Sequence, residues 1–246
     1  MSLGAIIPAA VNPLVTPGPL LLNNTQVLLS PTDPYLPLEA GWALNADGMY
    51  HVAATTFMPS VASPMIDWWF GYVTNTDQYR QWHPKDHIYS EWQGPHGNST
   101  YVGGSHFVHE MIGGELQKLR ISFKEPSAYF GDNWKADLKA QNYSTVICGR
   151  VGLWTGPGYT AIDIGHLIHL VRDEFMGIRM RSRFWLGDID LLKGVGPEIR
   201  AAIVPQNLVK GLVKHTSEEM SILGGFLPGL YGRETGTGAK TIDSGR

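Results

Sequence analysis

From Ile88 to Gly187 the chain divides into six strand-length segments: IYSEW, TYVGGSHFVHEMI, ELQKLRISF, STVICGRVGLW, TAIDIGHLIHLVRD and FMGIRMRSRFWL. Glycine, proline, asparagine or aspartate separates each from the next. Strands that follow one another with only turns between them pair antiparallel, because a parallel neighbour needs a crossover of about a dozen residues. Upstream, GMYHVAATTFMP within Gly41 to Met58 predicts one more strand. SPMIDWWFGYVTNTDQYRQWHPKDH then predicts two short helices, over Met65–Tyr72 and Thr76–Trp82. Downstream, Pro205 to Phe226 forms the long amphipathic helix. This order predicts an α+β fold of helix-grip type. A curved antiparallel sheet wraps a long C-terminal helix, two short helices follow the first strand, and a cavity lies between sheet and helix.

The first 38 residues are proline-rich and contain NNT and SPTDP, so residues 1–38 are expected to form an extended arm with turns. No internal repeat or low-complexity linker divides the rest of the chain, which predicts a single domain over 39–232 and a flexible tail over 233–246. A net charge of −3 gives no electrostatic footprint for nucleic acid or an anionic membrane. No run approaches the ~18 apolar residues that span a bilayer. The lone cysteine, Cys148, excludes an intramolecular disulfide. MSLGAIIPAAV lacks a basic stretch and is broken by proline, so the expected location is cytoplasmic.

Within VPQNLVKGLVKHTSEEMSILGGFLP, Leu208, Leu212, His215, Glu219 and Ile222 fall at spacings of four, three, four and three. They share one helical face, and leucine and isoleucine mark it as the face that packs inward. His215 and Glu219 can either reach one metal ion together or form an ordinary hydrogen-bonded pair. A buried ionised glutamate without a partner costs several kcal/mol, so a cation should face it. WHPKDH supplies His83 and His87. In SHFVHEMI, alternation puts His106 and Glu110 on one face and His109 on the other, and in GHLIHLVRD it puts His166 and His169 on opposite faces. Asp86 is a candidate to orient His83 or His87. Arg181 and Arg183 share a face, expected to point outward or to pair with Asp67 or Asp188.

These residues also resemble a known family. DWWF at Asp67–Phe70, Y-x-x-W-x-P-x-D-H at Tyr79–His87, LRISF, RSRFWLG at Arg181–Gly187, H-x-x-E-E-M at His215–Met220 and FLP occur in the order found in the 2,4-diacetylphloroglucinol hydrolase family, to which phloretin hydrolase belongs. The resemblance runs from about residue 40 to about residue 232. It implies a helix-grip fold like that of the birch-pollen allergen (Bet v 1) superfamily and a Zn2+ ion held by two histidines and two glutamates. The matching positions are His87, in preference to His83, with His215 and Glu219. The second glutamate matches Glu110, with Glu115 as the other candidate. Tyr79 and His169 match residues that hold the substrate. A tyrosine near the end of RSRFWLG is replaced here by Phe184 or Trp185.

The implied activity is hydrolysis of a carbon–carbon bond between an acyl group and a phenolic ring or related polyketide by metal-activated water. His169, Tyr79 and Glu110 take the catalytic roles, and the partner is a small phenolic ketone. Two other outcomes of the same pocket stay open: an isomerase, cyclase or lyase of natural-product biosynthesis, and a metal-free binding protein for an apolar molecule. The arm could reach a second copy of the chain, so a homodimer is also open.

Overall fold

Among the described residues, eight antiparallel strands form one sheet in the order β1-β2-β8-β7-β6-β5-β4-β3. The computed structural model describes residues 18–29, 35–97, 100–154, 161–192 and 194–237. The expected arm at 1–17 and 30–34 and the tail at 238–246 lie outside the described residues. The strands are β1 (Gly41–Leu44), β2 (Tyr50–Pro59), β3 (His87–Gln93), β4 (Ser105–Ile112), β5 (Glu115–Lys124), β6 (Tyr143–Leu153), β7 (Ile162–Glu174) and β8 (Gly177–Leu186). Helices α1 (Ser63–Tyr72) and α2 (Thr76–Trp82) follow β2, and α3 (Ser127–Phe130) and α4 (Trp134–Ala140) lie between β5 and β6. Helices α5 (Pro197–Ala202) and α6 (Gln206–Thr235) close the chain. Among the described residues no helix is long and apolar enough to cross a membrane.

The segment expected to be the first strand is a hairpin. The turn through Asn45 and Gly48 pairs Leu44 with Tyr50, so β1 precedes β2 and both lie before the short helices. Helix α6 runs nine residues beyond its expected end at Phe226 and continues through Pro228. Leu223, Leu227 and Leu230 carry its buried stripe onward, and packing outweighs the backbone bond that proline removes.

The sheet is covered on both faces. Helices α1, α2 and α6 fill the concave side around a core that includes Met58, Ile66, Trp69, Val108, Met220 and Leu223. On the convex side, the 3-10 segment Leu22–Leu29 and helices α3 and α4 bury Cys148, Ile168 and Trp185. Two-sided burial explains why β8 is buried at nearly every position. At the β4–β5 turn, Gly113 has φ +64° and sits against α6. A Cβ on Gly211 would lie 2.3 Å from the Gly113 nitrogen, so this contact needs glycine on both sides. It fixes α6 one turn before His215.

Arg181 and Arg183 do share the convex face, but they are fully buried, and neither pairs with Asp67 or Asp188. Glu39 bridges them, with its carboxylate 2.7 Å from each guanidinium. Asp67 instead accepts from Tyr101 and Thr145, and Asp188 pairs with Arg150 and His166.

Candidate metal centre and cavity

Helix α2 starts at an Asn75 cap, whose side chain accepts the Gln78 amide at 3.0 Å, and ends at His83. The carbonyl of His83 then accepts the amides of Asp86 and His87, closing a tight turn that leads directly into β3. This turn aims His87 at the concave side, where β3 and β4 set it opposite Glu110. Helix α6 brings His215 and Glu219 to the same point from above, and all four residues are buried.

The His87 Nδ1 lies 3.0 Å from the carbonyl oxygen of Tyr79. A carbonyl only accepts, so Nδ1 carries the proton and Nε2 presents a lone pair. That Nε2 is buried without a hydrogen-bond partner. It faces Glu110 Oε2 at 3.5 Å and Glu219 Oε2 at 3.6 Å. A lone pair directed at two carboxylate oxygens is repulsive unless a cation sits among them. His215 Nε2 completes the set, 3.1 Å from Glu110 Oε2 and 3.9 Å from Glu219 Oε2. An ion with tetrahedral bonds of about 2.0–2.1 Å needs donors about 3.4 Å apart, which is the middle of this range. His87, Glu110 and His215 can therefore hold a metal ion, with Glu219 as a fourth donor.

The charges respond to one another. Burial alone would lower His215, but its hydrogen bond to Glu110 and the charges of Glu110, Glu219 and Asp86 bring it up to about 9. Burial would raise Glu110, yet the His215 hydrogen bond and the nearby imidazoles hold it at about 2. Tyr79 donates to Glu110 Oε2 at 2.9 Å, and burial keeps its hydroxyl protonated.

The cluster opens onto a cavity under α6. Its walls are apolar, including Phe70, Leu119, Phe123, Leu167 and Phe184, and among the described residues no Lys or Arg lines it. Two imidazoles interrupt this surface. His169 bonds Ser182 Oγ through Nδ1 at 2.8 Å, and burial pushes it down to about 4. His106 bonds Ser90 Oγ at 2.6 Å, and burial pushes it down to about 3. Both are neutral near pH 7.

The structure thus gathers His87, Glu110, His215 and Glu219, with Tyr79 touching Glu110 and His169 on the wall of the same cavity. Glu115 lies apart, exposed and bonded to Asn207. His83 stands outside the four donors, beside Asp86 and Glu218. Phe184 faces the cavity, whereas Trp185 lies on the convex face, stacked on His51. Ser182 and Ser90, which hold the two cavity imidazoles, had no signal in the sequence. Ser182 meets His169 only through the β7–β8 register.

A family model described as the DAPG hydrolase PhiG domain matches residues 20–232. The chain belongs to this family. Among the family's curated relatives, phloretin hydrolase of Eubacterium ramulus is 28% identical over 213 residues, covering 80% of this chain and 73% of that protein. A 2,4-diacetylphloroglucinol hydrolase of Pseudomonas sp is 25% identical over 252 residues, covering 94% of this chain and 82% of that one. Similar solved structures include protein Ms6760 of Mycobacterium smegmatis, with TM-score 0.45 and 12% identity over 77% of this chain and 97% of that one. Ara h 8.0201 also has TM-score 0.45, with 9% identity over 73% and 98%. Neither likeness adds to the reading of the site.

Proposed function

We propose that this member of the DAPG hydrolase family is a zinc-dependent hydrolase of carbon–carbon bonds. It separates an acyl group from a phenolic, acylphloroglucinol-like ring or related polyketide. The observation that carries the reading is the His87 Nε2 lone pair facing two carboxylate oxygens and His215 at the rim of an apolar cavity. The names of the relatives, hydrolases of phloretin and of 2,4-diacetylphloroglucinol, support the substrate class.

His87, Glu110, His215 and Glu219 would hold the ion, since two imidazoles and two carboxylates suit zinc. Bound there, zinc would polarise the acyl carbonyl and lower the pKa of a water molecule. In the overall reaction a water oxygen bonds to the acyl carbon and the acyl–ring bond breaks. The ring carbon keeps the electron pair and takes up a proton. A phenolic ring that first tautomerises to a ketone lets that carbon leave as a stabilised carbanion.

The chain's own residues divide the remaining work. Glu110 lies between Tyr79 and His215 and is placed to pass a proton. Tyr79 orients that carboxylate through its hydroxyl. His169, fixed by Ser182 and held neutral by burial, offers its other nitrogen to a phenolic oxygen or to the departing ring carbon. The apolar walls hold the ring and keep bulk water out.

The test is mass-resolved turnover of phloretin and 2,4-diacetylphloroglucinol by zinc-supplemented protein. Release of a free carboxylic acid with the deacylated ring is expected. A product of unchanged mass would replace the reading with an isomerase, and tight binding without turnover would replace it with a carrier.

A further inference from the structure

We propose that Asp86 is a positioning residue for His215, fixing the imidazole through Nδ1 so that Nε2 is free for the ion; this rests on the zinc site proposed above. The expected partners of Asp86 were His83 or His87, but the Nδ1 of His87 is already committed to the Tyr79 carbonyl. Asp86 Oδ2 lies 3.6 Å from His215 Nδ1 and 3.6 Å from His83 Nε2. Both nitrogens are buried without a hydrogen-bond partner among the described residues. No other side chain makes a hydrogen bond or ion pair with the Asp86 carboxylate among those residues.

The trio could be taken for a second cation site, because its donor atoms lie within 4.8 Å of one another. The proton positions argue otherwise. The backbone N–H of Asp86 is shared between the His83 carbonyl and His83 Nδ1, 3.2 Å from each, so Nδ1 acts as an acceptor. A neutral His83 therefore carries its proton on Nε2, which then has no lone pair for a metal. His215 would also have to give both of its nitrogens to ions, which requires a doubly deprotonated ring. With Nε2 of His215 used at the zinc site, its proton sits on Nδ1, so Asp86 Oδ2 faces two N–H donors. A carboxylate facing the second ring N–H is the arrangement that sets the tautomer and ring orientation of a metal-bound histidine. The 3.6 Å separations are ion-pair distances, longer than the about 2.7–3.2 Å of a made hydrogen bond. The bracket is poised to tighten when Nε2 takes an ion.

One short turn thus serves two ligands. His83-Pro84-Lys85-Asp86-His87 delivers His87 to the site and sets Asp86 behind His215. Glu218, 44% exposed and 3.8 Å from His83 Nε2, lies at the outer rim of the bracket.

The experiment titrates zinc against a chromophoric chelator for the parent and for Asp86→Ala, Asp86→Asn, Lys85→Ala and His83→Ala. The expected result is zinc binding weakened ten- to hundredfold in Asp86→Ala. Asp86→Asn, which keeps an acceptor oxygen without the charge, should fall between Asp86→Ala and the parent, and Lys85→Ala should match the parent. The metal-free unfolding midpoint should stay close to that of the parent, which a merely structural role would not allow. If Asp86→Ala does not fold, Asp86→Asn carries the test. Parent-like affinity in both Asp86 variants would overturn the proposal while leaving the zinc site standing. A parent that binds no zinc would overturn both. Two zinc ions per chain, one of them lost in His83→Ala, would overturn it in favour of a second cation site.

Discussion

Tyr79 lies flat on His87, their ring centroids 3.8 Å apart and their planes 4° from parallel. The same tyrosine accepts the His87 Nδ1 proton on its backbone carbonyl and donates its hydroxyl to Glu110. One residue of α2 therefore restrains two of the four converging side chains, by three different contacts.

Tyr79→Phe separates those contacts, since it keeps the ring and the carbonyl and removes only the hydroxyl. A hydrogen bond to a charged group contributes about 1.5–3 kcal/mol. Zinc content is expected to hold while kcat falls about ten- to hundredfold. Steady-state kinetics beside metal analysis reads both. An unchanged kcat would remove Tyr79 from the mechanism.

Glu39→Gln tests the convex face. Burial would raise the Glu39 carboxyl, but Arg181 and Arg183 hold it down, so it is ionised between two buried guanidinium groups. Removing the charge strands both cations, and breaking a buried pair costs about 3–5 kcal/mol. Denaturant unfolding should show a loss of that order, with the specific activity of the folded fraction unchanged. A loss under about 1 kcal/mol would mean that the arginines find other partners.

Acid should weaken the fold above the ordinary carboxylate range. Burial pushes His51 and His106 down to about 3 and His169 to about 4. Below its ordinary value of about 6.5, the unfolded chain takes up protons that these folded imidazoles refuse. The unfolded state then binds more protons, so the contribution of these three groups is full above pH 6.5 and declines as pH falls toward 4. Each contributes at most about 1.4 kcal/mol per pH unit. In the metal-free protein the raised His215 has the opposite sign: its stabilisation is present below pH 6.5 and is lost as pH rises through about 9. It is therefore flat in the window from 6.5 to 5. Urea midpoints should fall across that window, and His51→Gln, on the convex face away from the site, should reduce the slope. A midpoint independent of pH would contradict the burial of these groups as neutral species.

The legible part of this protein is what periodicity encodes. Spacing along α6 turned His215 and Glu219 inward, and alternation separated His106 and Glu110 from His109, and His169 from His166. The structure has those placements. What stayed illegible depends on register or on distant chain. The pairing of Arg181 with Glu39 spans 142 residues, and nothing local to either residue announces it. The bond from His169 to Ser182 exists only because β7 and β8 meet in one register. Helices α3 and α4, of four and seven residues, are too short for a periodic signal, although Trp134 and Leu138 share a face. Strand β1 was recoverable, because the Asp47-Gly48 turn stands between it and β2.

The central claim is that His87, Glu110, His215 and Glu219 hold one zinc ion. Elemental analysis of the purified protein beside a His215→Ala/Glu219→Ala double variant tests it most directly. The account predicts about one zinc per chain in the parent and none in a double variant whose circular dichroism matches the parent. A parent that stays free of metal after incubation with zinc, or a double variant that retains the ion, would contradict it.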